Sequence, residues 1–273
     1  MPRVDVGSLS IFCEQLGVGE PVVCLTGLGG DLAGWLTFQA PAFVRAGYRA
    51  VLVDNRDAGR SDLSPVPRYT MRDLAGDTAR VIETLGLAPA HVLGWSMGGM
   101  IAQELAIRHP HAVRSLTLYG TSAGDDPFTN AWVAAMALIR SKLDGADYAR
   151  ATCPWLFAHQ FIERPGTMDG YAEDCAANPY PQPEAAYARQ CAAILAHSTS
   201  TRLAAIRAPT HVIVGEQDIT LPPRLSRHLA GRIAGAALTV LPGVGHAAAW
   251  EAPGAFNSAV LEFLGRVPGA AAR

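Results

Sequence analysis

The segment Gly94-Trp95-Ser96-Met97-Gly98-Gly99 lies between the apolar run His91-Val92-Leu93 and the helix-like stretch Met100-Ile101-Ala102-Gln103-Glu104-Leu105-Ala106. A strand, a serine guarded by glycines and a helix, in that order, form a nucleophile elbow. The turn is so tight that only glycine fits two residues to either side of the serine. Its geometry pushes a hydroxyl out of the sheet and points the following backbone N–H groups at the same spot. One short segment can thus supply a nucleophile and part of an oxyanion hole. A fold that carries such a turn needs a buried strand before it and room for a helix behind it.

The rest of the chain supplies that setting. Pro21-Val22-Val23-Cys24-Leu25 and Arg49-Ala50-Val51-Leu52-Val53-Asp54 are short continuous apolar runs, the mark of strands covered on both faces. Helical spacing follows the second run at Met71, Leu74, Ala75, Thr78, Val81, Ile82 and Leu85. Two short strands near Val4–Val6 and Leu9–Glu14 precede these, and Ser115–Tyr119, Thr210–Gly215 and Ala237–Leu241 follow the elbow. A closing helix places Phe256, Val260, Phe263 and Leu264 on one face. Alternating strands and helices imply an α/β fold, a mostly parallel sheet with helices on both faces. From about Asp125 to Arg207 the alternation breaks into helical patterns, with Ala131–Leu143 the clearest. This stretch reads as a helical lid over the carboxyl edge of the sheet, where open α/β sheets keep their sites. The expected organisation is a core of residues 1–124 and 208–273 with a 125–207 lid subdomain.

Bulk properties exclude several functions. With 273 residues and 49% hydrophobic content the chain can bury a large core. A net charge of −2, with acids and bases dispersed, offers no basic stripe for nucleic acid or an anionic membrane. Neither a signal-like apolar core near Met1 nor a run of membrane-spanning length is found, so a cytoplasmic protein is expected. Cys13, Cys24, Cys153, Cys175 and Cys191 are irregularly spaced without C-x-x-C, which fits reduced, mostly buried thiols and no zinc site. Lys142, the only lysine among 22 basic residues, follows no glycine-rich loop, which argues against a P-loop or a Schiff base. Neither a metal nor a cofactor is expected.

A serine hydroxyl attacks only when a base removes its proton, and the base needs a carboxylate to fix its tautomer. Of eight histidines, His246 alone lies in a glycine-rich loop just past a late strand, and it is the candidate base. His91, His109, His111, His197 and His228 read as capping or surface residues, and His159 as packing within the lid. Gly215-Glu216-Gln217-Asp218 ends the strand between elbow and histidine and offers Asp218 as the acid. Glu216 and the pair Asp125-Asp126 stay open as alternatives. The second oxyanion donor should come from Gly27-Leu28-Gly29-Gly30, where Leu28 N–H would join Met97 N–H. Charged residues in Asp54-Asn55-Arg56-Asp57-Ala58-Gly59-Arg60-Ser61 should lock one another, since buried charge must be paired. Gly27, Gly29, Trp35, Trp95, Trp155, Phe157 and Phe161 are candidates for a mostly apolar substrate pocket.

The elbow, the order Ser96, Asp218, His246, the Gly27-Leu28-Gly29 loop and the helical insert together resemble the α/β-hydrolase fold family across essentially the whole chain. That resemblance implies an eight-stranded, mostly parallel sheet with a lid inserted after the sixth strand, and a cofactor-independent serine mechanism. Within the family, Thr26–Asp31 with Trp35 is similar to 3-oxoadipate enol-lactonases, whereas Asp54–Ser61 looks like aclacinomycin-type methylesterases. Thr26 stands where many members carry histidine before the oxyanion glycine. The expected activity is hydrolysis of a small to medium, mostly apolar ester or lactone. C–C hydrolysis of a β-diketone, acyl transfer, perhydrolysis and a non-catalytic receptor or cyclising role are the alternatives. Oligomeric state is not readable from the sequence.

Overall fold

The structure, a computed structural model, describes residues 3–268; Met1 and Pro2, at the start of the segment searched for a signal, lie outside the described residues. Eight strands form one sheet: β1 (Arg3–Asp5), β2 (Ser10–Leu16), β3 (Pro21–Leu25), β4 (Arg49–Val53), β5 (Ala90–Trp95), β6 (Val113–Tyr119), β7 (Thr210–Gly215) and β8 (Ala237–Leu241). Their order is β1-β2-β4-β3-β5-β6-β7-β8. The first two strands pair antiparallel, and β2 is antiparallel to β4; every other pairing is parallel. Because β3 to β8 run the same way, the loops that leave them gather along one edge.

Twelve α-helices accompany the sheet among the described residues. They are α1 (Ala33–Leu36), α2 (Gln39–Arg45), α3 (Met71–Thr84), α4 (Met97–Arg108), α5 (Pro127–Arg140), α6 (Gly145–Leu156), α7 (His159–Ile162), α8 (Thr167–Ala176), α9 (Glu184–Leu195), α10 (Pro223–Arg232), α11 (Ala248–Glu251) and α12 (Pro253–Arg266). None is long and apolar enough to cross a membrane.

Strand alternation decides the two cores. Val23, Leu25, Val51, Val53 and Val92 face α3, α4 and α10, whereas Val22, Cys24, Ala50, Leu52 and Leu93 face α1, α2 and α12. Both faces are covered, which is why these strands read as continuous apolar runs. Helix starts carry their own signals: Asp73 accepts the Thr70 N–H at 2.7 Å ahead of α3, and Asp126 accepts the Thr129 N–H at 2.9 Å ahead of α5.

All five insert helices, α5 to α9, fall between β6 and β7, where the sequence shows one clear helix. Where the chain enters and leaves the insert, an antiparallel bridge joins Gly124 to Ser198. Two histidines differ from expectation. His91 and His197 are buried, not capping or exposed. His91 sits on β5 with Nδ1 2.7 Å from Ser115 Oγ, and His197 is packed where α9 returns to the sheet, its burial holding the imidazole down to about 4. No disulfide joins the five cysteines; four are buried and Cys175 is partly so.

Candidate active site

Ser96 stands between β5 and α4 with φ 55° and ψ −118°, a conformation sparsely populated by residues with a side chain. Its neighbours explain how the strain is held. A Cβ on Gly94 would lie 2.3 Å from Gly98 O, and one on Gly98 would lie 2.3 Å from Leu25 O. At Gly99 a Cβ would fall 2.6 Å from Thr121 Cβ. The turn therefore closes only because three positions lack side chains. Ser96 N donates to Tyr119 O at 2.9 Å, and Thr121 Oγ1 donates to Ser96 O at 2.7 Å. Gly98→Ala should lower stability by about 3 kcal/mol, since the end of β3 and the start of α4 would have to part. Gly231→Ala, with open space around its Cβ on α10, is the control and should be neutral or stabilising by up to about 1 kcal/mol. Urea denaturation of the two variants measures both effects.

His246 and Asp218 meet over the neighbouring loops, with Nδ1 2.7 Å from Oδ2. Both side chains are buried, 3% and 0% exposed. The other carboxylate oxygen of Asp218 accepts the Leu221 N–H at 2.7 Å, so both oxygens are engaged. The His246 carbonyl accepts from Tyr119 Oη at 2.6 Å and Trp95 Nε1 at 3.2 Å, which pins the loop to the core. Gly120, with φ 48°, is the shared wall: a Cβ there would stand 3.2 Å from the His246 ring and 3.4 Å from Asp218 Oδ2. The residue before it holds Ser96 through the backbone. Ser96 is thus tied to Tyr119 while the His246–Asp218 pair borders Gly120 next to it; among the described residues Ser96 Oγ makes no hydrogen bond to His246.

The competing carboxylates are occupied elsewhere. Glu216 accepts the Gly243 N–H at 3.0 Å. Asp126 caps α5 and pairs with Arg224 at 2.7 Å, whose guanidinium holds the carboxyl down to about 2. Asp125 accepts a hydrogen bond from Ser198 Oγ beside the insert's hinge.

Across from the elbow, the Thr26–Gly30 loop lies against the serine, with a Cβ on Gly27 falling 3.1 Å from Ser96 Cβ. Thr26 Oγ1 donates to Gly30 O at 3.0 Å and closes the loop on itself. Gly30 N–H goes to Gly27 O at 3.2 Å, and Gly29 N–H goes to Gln190 Oε1 at 3.1 Å. At positions 28 to 30 this leaves only the Leu28 N–H unused by another described residue. Met97 N–H, at the first turn of α4, is likewise unused among the described residues. The next loop is locked by charge. Arg56 forks onto Asp77 at 2.6 and 2.7 Å, Arg189 of α9 forks onto Asp57 at 2.8 and 2.6 Å, and Asp54 accepts Leu32 and Arg60 N–H.

Trp95 is the centre of the aromatic wall, with its ring 5.6 Å from His246, 5.9 Å from Tyr119 and 6.2 Å from Trp250. Phe161 stacks on Phe157 at 5.1 Å, and both join Trp95 and Trp250 where the insert meets the core. Trp155 packs on the opposite cluster. Trp35 is buried beneath Trp95, 6.3 Å ring to ring, so any influence on a ligand passes through Trp95. Sequence reasoning missed Tyr119, Gln190, Trp250 and Glu251. Only Glu251 left a local trace, as a lone carboxylate closing the apolar run that follows His246. No group of three or more His, Cys, Asp or Glu side chains suited to a metal ion occurs among the described residues.

Comparison with known proteins places these features in a wider group. The profile of the alpha/beta hydrolase fold matches residues 20–253. A Mycobacterium tuberculosis protein named as a non-heme bromoperoxidase, BpoC, is 33% identical over 265 residues, covering 95% of this chain and 99% of the relative. A protein of Azorhizobium caulinodans named as a carbamate hydrolase, RutD, is 30% identical over 268 residues, covering 98% and 99%. The crystal structure of the enol-lactonase from Burkholderia xenovorans LB400 superposes with a TM-score of 0.86 at 28% identity, covering 97% of this chain and 100% of that one.

Proposed function

The chain belongs to the alpha/beta hydrolase fold family, and from that premise we propose that it is a serine hydrolase that cleaves a carboxylic ester or lactone through an acyl-enzyme. The observation that carries the proposal is the buried His246–Asp218 contact at 2.7 Å against Gly120, next to the Tyr119 carbonyl that holds Ser96 N, with the serine at φ 55°. Ser96 Oγ attacks the carbonyl while His246 Nε2 takes its proton, and Asp218 stabilises the imidazolium at Nδ1. The oxyanion that develops accepts Leu28 and Met97 N–H. His246 returns the proton to the departing alkoxide. Water then attacks the acyl-enzyme, with His246 as base again, and the acid leaves as Ser96 is restored.

Gly27 and Gly29 let the backbone approach the acyl group, and the Trp95, Phe161 and Trp250 wall supports a mostly apolar substrate. Residues 125–207 act as the lid over the 1–124 and 208–273 core. The resemblance of the enol-lactonase structure supports a lactone as readily as an open ester.

An acyl-enzyme common to all substrates of one acid is testable by partitioning. Acetate esters with different leaving groups, hydrolysed in dilute methanol, should give methyl acetate and acetate in one fixed ratio. A ratio that follows the leaving group, or no turnover of any ester or lactone, contradicts the proposal. The bromoperoxidase name of the Mycobacterium tuberculosis relative favours a second reading, perhydrolysis, in which hydrogen peroxide replaces water on the same acyl-enzyme. Peroxide would then divert the acetyl group into peracetic acid, which oxidises added bromide to hypobromous acid and is detected by bromination of an added acceptor.

A further inference from the structure

The insert is not only a cover. Its segment 155–160 is tied by hydrogen bonds to both loops that carry the candidate acid and base. Thr220 Oγ1, two residues after Asp218, donates to Trp155 O at 2.5 Å. Ala247 N, next to His246, donates to Leu156 O at 2.8 Å. Gln160 Nε2 donates to Gly243 O. At the centre is Glu251, at the end of α11: one carboxylate oxygen accepts the Gly245 N–H at 2.7 Å and the other accepts the Ala158 N–H at 3.1 Å.

Glu251 is only 8% exposed and makes no ion pair with Arg, His or Lys among the described residues. A carboxylate in that position keeps its charge only if N–H donors replace water. It receives one donor from the base loop and one from the insert, and losing either leaves it under-satisfied. The contact between the two is backbone against backbone, since a Cβ on Gly245 would lie 2.8 Å from Ala158 N and 2.9 Å from Phe157 C. Tyr119 and Trp95 hold the His246 carbonyl from the core side. Glu251 and Leu156 O hold the flanking N–H groups from the insert side.

We propose that Glu251 is a positioning residue that couples the helical insert to the base loop, so that His246 takes its working position only while the 157–158 backbone of the insert is docked. The proposal rests on the assignment of Ser96, His246 and Asp218 as the catalytic set.

Two variants cut the two arms separately. Glu251→Gln keeps the shape but turns one acceptor into an NH2 that faces an N–H. Ala158→Pro removes the insert's donor and sets the ring Cδ where that N–H met Glu251, so the 157–158 backbone must move off the carboxylate; its φ of −65° suits proline, and Phe157 before it, at φ −112° and ψ 149°, is already extended. The measurement is inactivation by a small fluorophosphonate, with the maximal rate and the half-saturating concentration determined separately and urea stability recorded alongside. Each variant should lower the maximal rate by about tenfold or more, Glu251→Gln through the loss of one hydrogen bond to a charged group and Ala158→Pro through undocking of the 157–158 backbone, with half-saturation unchanged. The double variant should be little slower than the worse single one, because both act through one carboxylate. Equal maximal rates in wild type and Ala158→Pro, or losses confined to half-saturation or to urea stability, overturn the coupling. Wild-type protein that is not inactivated at all instead overturns the catalytic assignment beneath it.

Discussion

The Ser96→Ala protein is expected to turn over ester substrate about six orders of magnitude more slowly than wild type, with an unchanged unfolding curve. The two halves of that expectation have different origins. Stability is untouched because the elbow is held by backbone and neighbours: Ser96 N on Tyr119 O, Thr121 Oγ1 on Ser96 O, and close packing at Gly94, Gly98 and Gly99. None of these uses the hydroxyl. Activity should collapse because, on the proposed mechanism, the acyl-enzyme forms on Ser96 Oγ before the Leu28 and Met97 N–H groups. What remains should be oxyanion stabilisation of direct water attack, which needs neither acyl-enzyme nor burst. Steady-state rates of matched preparations, with urea curves for each, test both parts.

Asp218→Asn should lower turnover by about four orders of magnitude, by presenting the wrong tautomer and not by moving the ring. Two hydrogen bonds fix the outcome. Asp218 Oδ1 accepts the Leu221 N–H at 2.7 Å while Oδ2 takes His246 Nδ1, also at 2.7 Å. An asparagine must keep its oxygen on Leu221, because its NH2 cannot face an N–H donor. The NH2 group then points at His246 Nδ1, which becomes the acceptor, and the ring proton moves to Nε2. A protonated Nε2 cannot take the Ser96 proton. Nitrogen-15 NMR of the imidazole in the variant should report the Nε2–H form alongside the fall in rate. Retained turnover would move the acid's role to Glu216 or to Asp125-Asp126, although those groups hold Gly243 N, Ser198 and Arg224 in the structure.

Much of this arrangement was legible in the chain because the fold writes it locally. Strands buried on both faces appear as apolar runs, and the bounds read for Pro21–Leu25 and Thr210–Gly215 coincide with β3 and β7; those read for Ala237–Leu241 coincide with the half-exposed edge strand β8. The candidate nucleophile, acid and base follow β5, β7 and β8, so their order could be read without knowing a single contact. The insert resisted for the opposite reason. Most of its helices bury little: in α6 only Ala149, Thr152 and Cys153 are buried, in α8 only Ala172, and the single turn α7 buries nothing, so no continuous apolar run marks them. Contacts made across the chain left no trace either. Gln190 reaches Gly29, Tyr119 reaches the His246 carbonyl, and Glu251 reaches Ala158, each over a separation in sequence that no local pattern encodes. His91 and His197 were misjudged on the same ground, since burial of a polar ring is decided by distant partners. His91 lies on β5 and is covered by Ser115 of β6, and His197 follows α9 and is covered where the insert returns to the sheet.

On the proposed function, the elbow sets how a carbonyl is attacked, and the wall around Trp95 and the insert would select whose carbonyl it is. The relatives carry bromoperoxidase, carbamate hydrolase and enol-lactonase names, so the shared fold does not by itself choose a substrate. The central claim is that Ser96 is a nucleophile activated by His246. Its most direct test is reaction of the folded protein with a fluorophosphonate probe, followed by mapping of the modified peptide by mass spectrometry. One phosphonate on Ser96, lost on unfolding before treatment and in His246→Ala, is the predicted result; an unmodified Ser96 in folded, wild-type protein would contradict it.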